Sequence, residues 1–222
     1  GKMVPFRMRL GQERLLKDLW WRNQLLKARQ LGFSTLIALL MLDRCMFNRG
    51  QRGGIIDATL PDAKKKLAKI QFAYDHIGLG IEGLSPAEQI GLRDKLHLMF
   101  PLKSRGREAM EWEHGSRITV GVSHVGDTLQ MLHVSEYGVI AQRSDSRAEE
   151  IWRGALPTVA PRCPVLFEST HRGGKFGRNY DLLRLAMQNE SREKSELTEQ
   201  DWKFHFFPWH LDPKYALNGK QK

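Results

Sequence analysis

Short apolar runs of strand length alternate along this chain with longer stretches of helical periodicity, and that alternation restricts the fold more than any other feature. Two parallel strands need a crossover of a dozen residues or more, and a helix is the usual way to make it. The runs 24–28, 54–59, 116–122, 129–135, 164–169 and 202–207 read as strands. Several are apolar without alternation, the pattern of strands covered on both faces. Helical patterns fill 12–21, 35–47, 63–77, 85–99, 147–154 and 180–188. An α/β domain with a mostly parallel central sheet flanked by helices follows. The polar segment 188–200 is expected to be an exposed loop or short helix, and 210–222 to begin a linker.

With 222 residues the chain can bury one large α/β core, and it is too short for two ordinary ones. Its longest early apolar run, 36–42, is far below the length of a membrane span. Positions 1–12 lack the apolar stretch of a signal peptide. Cys45 and Cys163 have neither zinc-ligand nor disulfide-framework spacing, which fits a reducing cytoplasm. The formal charge of +10 favours a polyanionic partner, nucleic acid before acidic lipid.

Between the first strand and the helix after it lies Lys27-Ala28-Arg29-Gln30-Leu31-Gly32-Phe33-Ser34-Thr35. A strand–loop–helix transition converges backbone N–H groups and a helix N-terminus on an anion. In the usual phosphate loop, G-x-x-x-x-G-K-S/T, a lysine reaches the phosphates and the hydroxyl binds Mg²⁺. Gly32 and Ser34 fill the second glycine and the hydroxyl. Phe33 stands where the lysine would be, and Lys27 where the first glycine would be. Lys27 can reach phosphate from the other side of the loop, and Arg29 adds a cation that keeps its charge. Taken alone, the segment also reads as an ordinary strand–turn–helix.

Two further strands end in groups suited to the same chemistry. The run 129–135 closes on Ser135-Glu136. P-loop ATPases commonly place a Mg²⁺-holding carboxylate and a water-polarising glutamate there. Ser135 would meet Mg²⁺ through its hydroxyl or through water, leaving Glu136 as the general base. The run 164–169 leads into Glu168-Ser169-Thr170-His171-Arg172-Gly173-Gly174, whose hydroxyls suit a γ-phosphate or attacking water. Each motif also has a plain reading, a surface glutamate or a strand-to-loop turn. Together they fall at C-terminal strand ends, where open α/β sheets bind ligands.

So assembled, the chain resembles the ATPase domain of tailed-bacteriophage large terminase subunits over nearly its whole length. The residues that carry the resemblance are Leu10-Gly11-Gln12, the loop Ala28-Arg29-Gln30-Leu31-Gly32 with Lys27 at its start and Phe33-Ser34 after it, Leu132–Glu136, Glu168-Ser169-Thr170 and Phe206-Phe207-Pro208-Trp209. The resemblance implies a RecA-like P-loop NTPase. It also implies ATP and Mg²⁺ as cofactors, and ATP hydrolysis that drives double-stranded DNA into a capsid. Gln12 would read adenine. Lys27, Arg29, Gln30 and the amides of Gly32, Phe33, Ser34 and Thr35 would hold phosphate. Ser34 and Ser135 would serve the metal, Glu136 would activate water, with Arg29 acting on the transferred phosphate, and Ser169 and Thr170 would couple hydrolysis to movement. Portal protein, a small terminase subunit and a homo-oligomeric ring are the implied partners, in the host cytoplasm. Residues 1–209 would form the motor and 210–222 the start of a linker toward a nuclease domain, whose activity is not expected here. The stretch 123–128 departs from the family, since it has no arginine to offer a neighbouring subunit. Arg29 in cis, or Arg105, Arg107 or Arg117 in trans, are the candidates. A helicase-like ATPase and a P-loop module without turnover are the alternatives. Arg172, Lys175 and Arg178 are the preferred DNA- or subunit-facing cations.

Overall fold

The computed structural model describes residues 5–124, 126, 128–171 and 177–215. The chain runs α1 (Leu10–Lys17), β1 (Arg22–Lys27), α2 (Phe33–Phe47), β2 (Arg52–Ile56), α3 (Leu60–Asp75) and α4 (Pro86–Met99). It continues with β3 (Leu102–Arg105), β4 (Ala109–Trp112), β5 (Arg117–Gly121), β6 (Met131–Ser135), α5 (Tyr137–Arg143) and α6 (Asp145–Glu150). β7 (Val165–Ser169), α7 (Arg178–Glu190) and β8 (Trp202–Phe207) follow. One sheet of eight strands results, in the order β3-β4-β5-β2-β6-β7-β1-β8. All six expected strands are present and pair in parallel.

The sequence reading did not contain β3, β4 and α5. β3 and β4 form an antiparallel extension on β5. They are four residues each and mix charged with apolar side chains, too short for a periodicity to stand out. α5 is a seven-residue helix directly behind the sixth strand. Turn chemistry sets the helix starts, and it begins α3 three residues before the expected 63. Thr59 caps α3 by accepting from the Asp62 N–H, and Pro61 sits in the first turn, where its missing N–H costs nothing. Ser85 and Glu88 exchange hydrogen bonds in a capping box at the start of α4.

Strand parity splits the core in two. Leu25, Ile55, Met131 and Leu166 pack with α2 and α3, whereas Ile56, Leu132, Val134 and Phe167 pack with α5 and α7. α2 is buried nearly all round, as an inner helix must be, through Phe33, Leu36, Ile37, Met41, Cys45 and Met46. Connections from β1 and β7, which are neighbours, leave in opposite directions: α2 leads toward β2, and α7 leads over β1 to β8. Such a divergence opens a crevice at the carboxyl ends of the two strands. Among the described residues, no helix is long and apolar enough to cross a membrane.

Candidate active site

Side chains two apart on a strand share a face, so parity decides what meets what. Lys27 shares the face of Leu25, His133 and Ser135 that of Met131, and Glu168 that of Leu166. All four therefore point toward α2, whose first turn carries Ser34. The Ser34 hydroxyl donates to Oε1 of Glu168 over 2.5 Å, and the Ser135 hydroxyl reaches the same oxygen at 3.1 Å. His133 Nε2 also lies 3.1 Å from it. The Lys27 ammonium stands 3.6 Å from Oε2 of Glu168 and 3.8 Å from Oε1 of Glu136. Its side chain is 8% exposed, so its charge is balanced by these carboxylates rather than by water.

Glu168 has no exposed surface. Burial pushes its carboxyl toward protonation. The His133 hydrogen bond, the Lys27 and His133 charges and the Ser34 hydroxyl outweigh that and hold it well below the usual carboxylate range. From the sequence, Glu168 stands only as the first residue of the coupling motif Glu168-Ser169-Thr170, and His133 has no role. The available signal was an acidic residue inside an apolar strand, in a chain whose acidic strand end has serine in place of the usual carboxylate.

The loop 28–32 closes over this cluster. Gln30 (φ 58°) and Gly32 (φ 78°) are both left-handed, and Gly32 caps α2. The N–H groups of Phe33 and Ser34 have no hydrogen-bond partner among the described residues, while that of Thr35 is engaged by the Gly32 carbonyl at 3.1 Å. These free donors at a helix N-terminus are what an anion needs. The Phe33 side chain turns inward, 2% exposed, with its ring 4.3 Å from that of Phe207. Phe33 can therefore offer phosphate its amide and nothing else.

Gln12 is buried behind the loop. Its amide donates to the Gly32 carbonyl at 2.8 Å and accepts from the Arg9 N–H at 2.9 Å. Arg9 also donates to the Gln30 carbonyl at 3.1 Å, and the Tyr215 hydroxyl donates to the Arg29 carbonyl at 2.7 Å. Segments from both ends of the described chain thus brace the loop.

Glu136 occupies a left-handed conformation (φ 54°, ψ 39°) at the start of α5. Such a backbone costs ~1–3 kcal/mol in a non-glycine residue and is held by its surroundings. The next turn supplies the hold, because the Gly138 N–H donates to the Ser169 hydroxyl at 3.1 Å. That hydroxyl in turn donates to the Thr170 carbonyl at 2.8 Å. A Cβ at Gly138 would stand 2.6 Å from the Ser169 oxygen, so this contact requires glycine. The turn carrying Glu136 and the end of β7 are therefore mechanically joined.

Lys27, Arg29, Gln30, Glu136 and Thr170 line one cleft of about 470 Å³, opposite Asp57, Lys65, Lys66 and Lys69. Of the α3 lysines Lys64, Lys65, Lys66 and Lys69, the last three border this cleft. Lys66 is paired with the buried Asp57, and Lys65 with Asp62. Among the described residues Arg105 is held bidentately by Asp75, at 2.6 and 2.7 Å. Arg178 is paired with Glu149 and lies over the Trp152 ring. Arg172 and Lys175 lie outside the described residues. No group of three His, Cys, Asp or Glu side chains gathers into a metal cage among the described residues.

No family model matches the chain, and no curated protein matches it in sequence. Solved structures do resemble it. The large terminase ATPase domain of Thermus phage P74-26 superposes with a TM-score of 0.59 at 14% identity, over 92% of this chain and 80% of that one. The bacteriophage HK97 large terminase gives 0.61 at 13% identity, over 84% of this chain and 38% of its own. The chain has the fold of a large terminase ATPase domain. The large terminase of a thermophilic bacteriophage, solved with ATP-γ-S, matches 95% of this chain and 47% of its own, with a TM-score of 0.52 at 9% identity. The terminase-type sheet accounts for the placement of Lys27, Glu136 and Ser169 at three adjacent strand ends.

Proposed function

We propose that this chain is the ATP-hydrolysing motor domain of a phage large terminase, coupling hydrolysis to translocation of double-stranded DNA. The observation that carries the reading is the Lys27 ammonium, shared between Glu136 and Glu168 beneath the free amides of Phe33 and Ser34. Those amides with Lys27 and Arg29 offset triphosphate charge. Glu136, whose strained turn aims it into the cleft, takes the proton of the attacking water. Ser34, with Ser135 behind it, fits the hydroxyl of a Mg²⁺ site. Mg²⁺, when bound, would supply neutralisation of charge on the phosphate oxygens. Gly138 and Ser169 transmit the state of the Glu136 turn to β7 and the loop behind it. Resemblance to large terminases extends the proposal to a portal, a small subunit and a ring of copies in the host cytoplasm. It also makes 1–209 the motor and 210–222 the approach to a nuclease domain. ATP-γ-S in the thermophilic phage relative supports a nucleotide in this cleft.

Steady-state ATPase measurements on the purified protein, with and without double-stranded DNA, test the reading. Wild type should hydrolyse ATP and respond to DNA. Glu136→Gln should bind nucleotide yet lose ~10²–10⁴-fold in turnover, because an amide cannot accept the proton. Binding without turnover in wild type would instead indicate a P-loop binding module, and strand separation a helicase.

A further inference from the structure

A carboxylate buried in a strand interior is costly unless its charge is used. Glu168 is such a group, and its two oxygens are treated differently. Oε1 receives Ser34, Ser135 and His133. Oε2 is buried with no hydrogen-bond partner, and the Lys27 ammonium at 3.6 Å is beyond hydrogen-bond length. Ser135 ends the strand where P-loop ATPases keep the carboxylate for Mg²⁺. In the parallel ladder Ser135 and Glu168 are direct register partners. The negative charge missing from β6 is thus present one strand over, on the same face, and bonded to the hydroxyl of the phosphate loop.

Resting on the ATPase reading, we propose that Glu168 is the metal-directed carboxylate of this site, relocated from β6 to β7. It acts with Ser34, and Lys27 balances its charge until nucleotide arrives. Mg²⁺ in nucleotide sites draws on one or two carboxylates and the substrate phosphates, so one buried glutamate with a serine beside it is a sufficient protein contribution. The partnerless Oε2 is the oxygen left for that purpose. Ser135 and His133 orient the group through Oε1 and are positioning residues.

The test is equilibrium binding of a fluorescent, non-hydrolysable ATP analogue to the whole chain, once in EDTA and once in Mg²⁺. Wild type should bind more tightly with Mg²⁺. Glu168→Gln should keep or improve the metal-free affinity and lose ~10-fold or more of the Mg²⁺ enhancement. The double variant Ser135→Asp with Glu168→Ser returns the carboxylate to β6 and should restore the enhancement, which a purely structural role for Glu168 does not predict. An undiminished enhancement in Glu168→Gln, or no restoration in a folded double variant, overturns the relocation and leaves the ATPase reading standing. If Glu168→Gln does not fold, the double variant alone decides. Wild type that binds the analogue under neither condition removes the ATPase reading and this inference with it.

Discussion

The side-chain amide of Gln12 donates to the carbonyl of Gly32 over 2.8 Å, and a Cβ added at Gly32 would stand 2.8 Å from that same nitrogen. Gln12 thus braces the residue that caps α2. Gln12→Ala is expected to weaken ATP and GTP alike, by ~1–3 kcal/mol, since it removes the hydrogen bonds that tie Gly32 and the Arg9 N–H together, leaves the Gly32 carbonyl only the N–H groups of its own helix, and loosens the loop. Competition binding with both nucleotides checks this. A loss confined to ATP would instead assign the amide to adenine.

Lys27 and Arg29 should separate by kinetics. Lys27 is buried against two carboxylates, whereas Arg29 is exposed at the rim of the cleft. Lys27→Ala should reduce both nucleotide affinity and turnover. It should also destabilise the fold by ~3 kcal/mol, because buried Glu168 loses the ammonium that balances it and keeps only its hydrogen bonds with Ser34, Ser135 and His133. Arg29→Ala should mainly lower kcat, the signature of a group that matters as charge develops. Normal binding and turnover in Lys27→Ala would transfer the phosphate role to Arg29.

Placing a lysine at the usual loop position should not repair the loop. Phe33 packs on Phe207 in the core, so Phe33→Lys buries an ammonium without a partner and loses the ring contact. A cost on the scale of truncating a core phenylalanine, ~3–5 kcal/mol, is expected in urea denaturation, with no gain in analogue affinity. Tighter binding at unchanged stability would mean that this position faces phosphate.

Acidification should weaken the fold in two stages. Burial pushes the His205 imidazole down to about 4; Asp18 acts against the shift, and Lys203 and Arg14 add to it. The folded state therefore takes up its proton later than the unfolded chain. The stabilisation is complete above the ordinary histidine pKa and is lost as pH falls from about 6.5 toward 4. Between pH 7 and pH 5 this amounts to ~2 kcal/mol. His205→Gln should flatten the dependence of Tm on pH in that window. Glu168, depressed below the ordinary carboxylate range, contributes a second loss at lower pH. A slope unchanged in His205→Gln would place the first stage elsewhere.

The six parallel strands, most helices and the fall of the three motifs at strand ends were legible because each is written locally: an apolar run, a helical period, glycine and serine at a loop, an acid at a strand end. Side-chain parity along β1, β6 and β7 was also in the sequence, and it assigns Lys27, Ser135 and Glu168 to definite faces. Local pattern does not say which strands are neighbours. That β7 lies between β6 and β1, bringing Glu168 to a serine 134 residues away, is a product of long-range pairing. The inward turn of Phe33 depends on Phe207 from the far edge strand, and the bracing of Gly32 depends on a glutamine twenty residues earlier. By itself the sequence determined the longer elements, the loop and the acidic strand end, since those follow from periodicity and residue chemistry, whereas β3, β4 and α5 are too short to carry a period. Only the tertiary structure decided how charge is distributed within the site, because a buried carboxylate's role is set by the groups that pack against it.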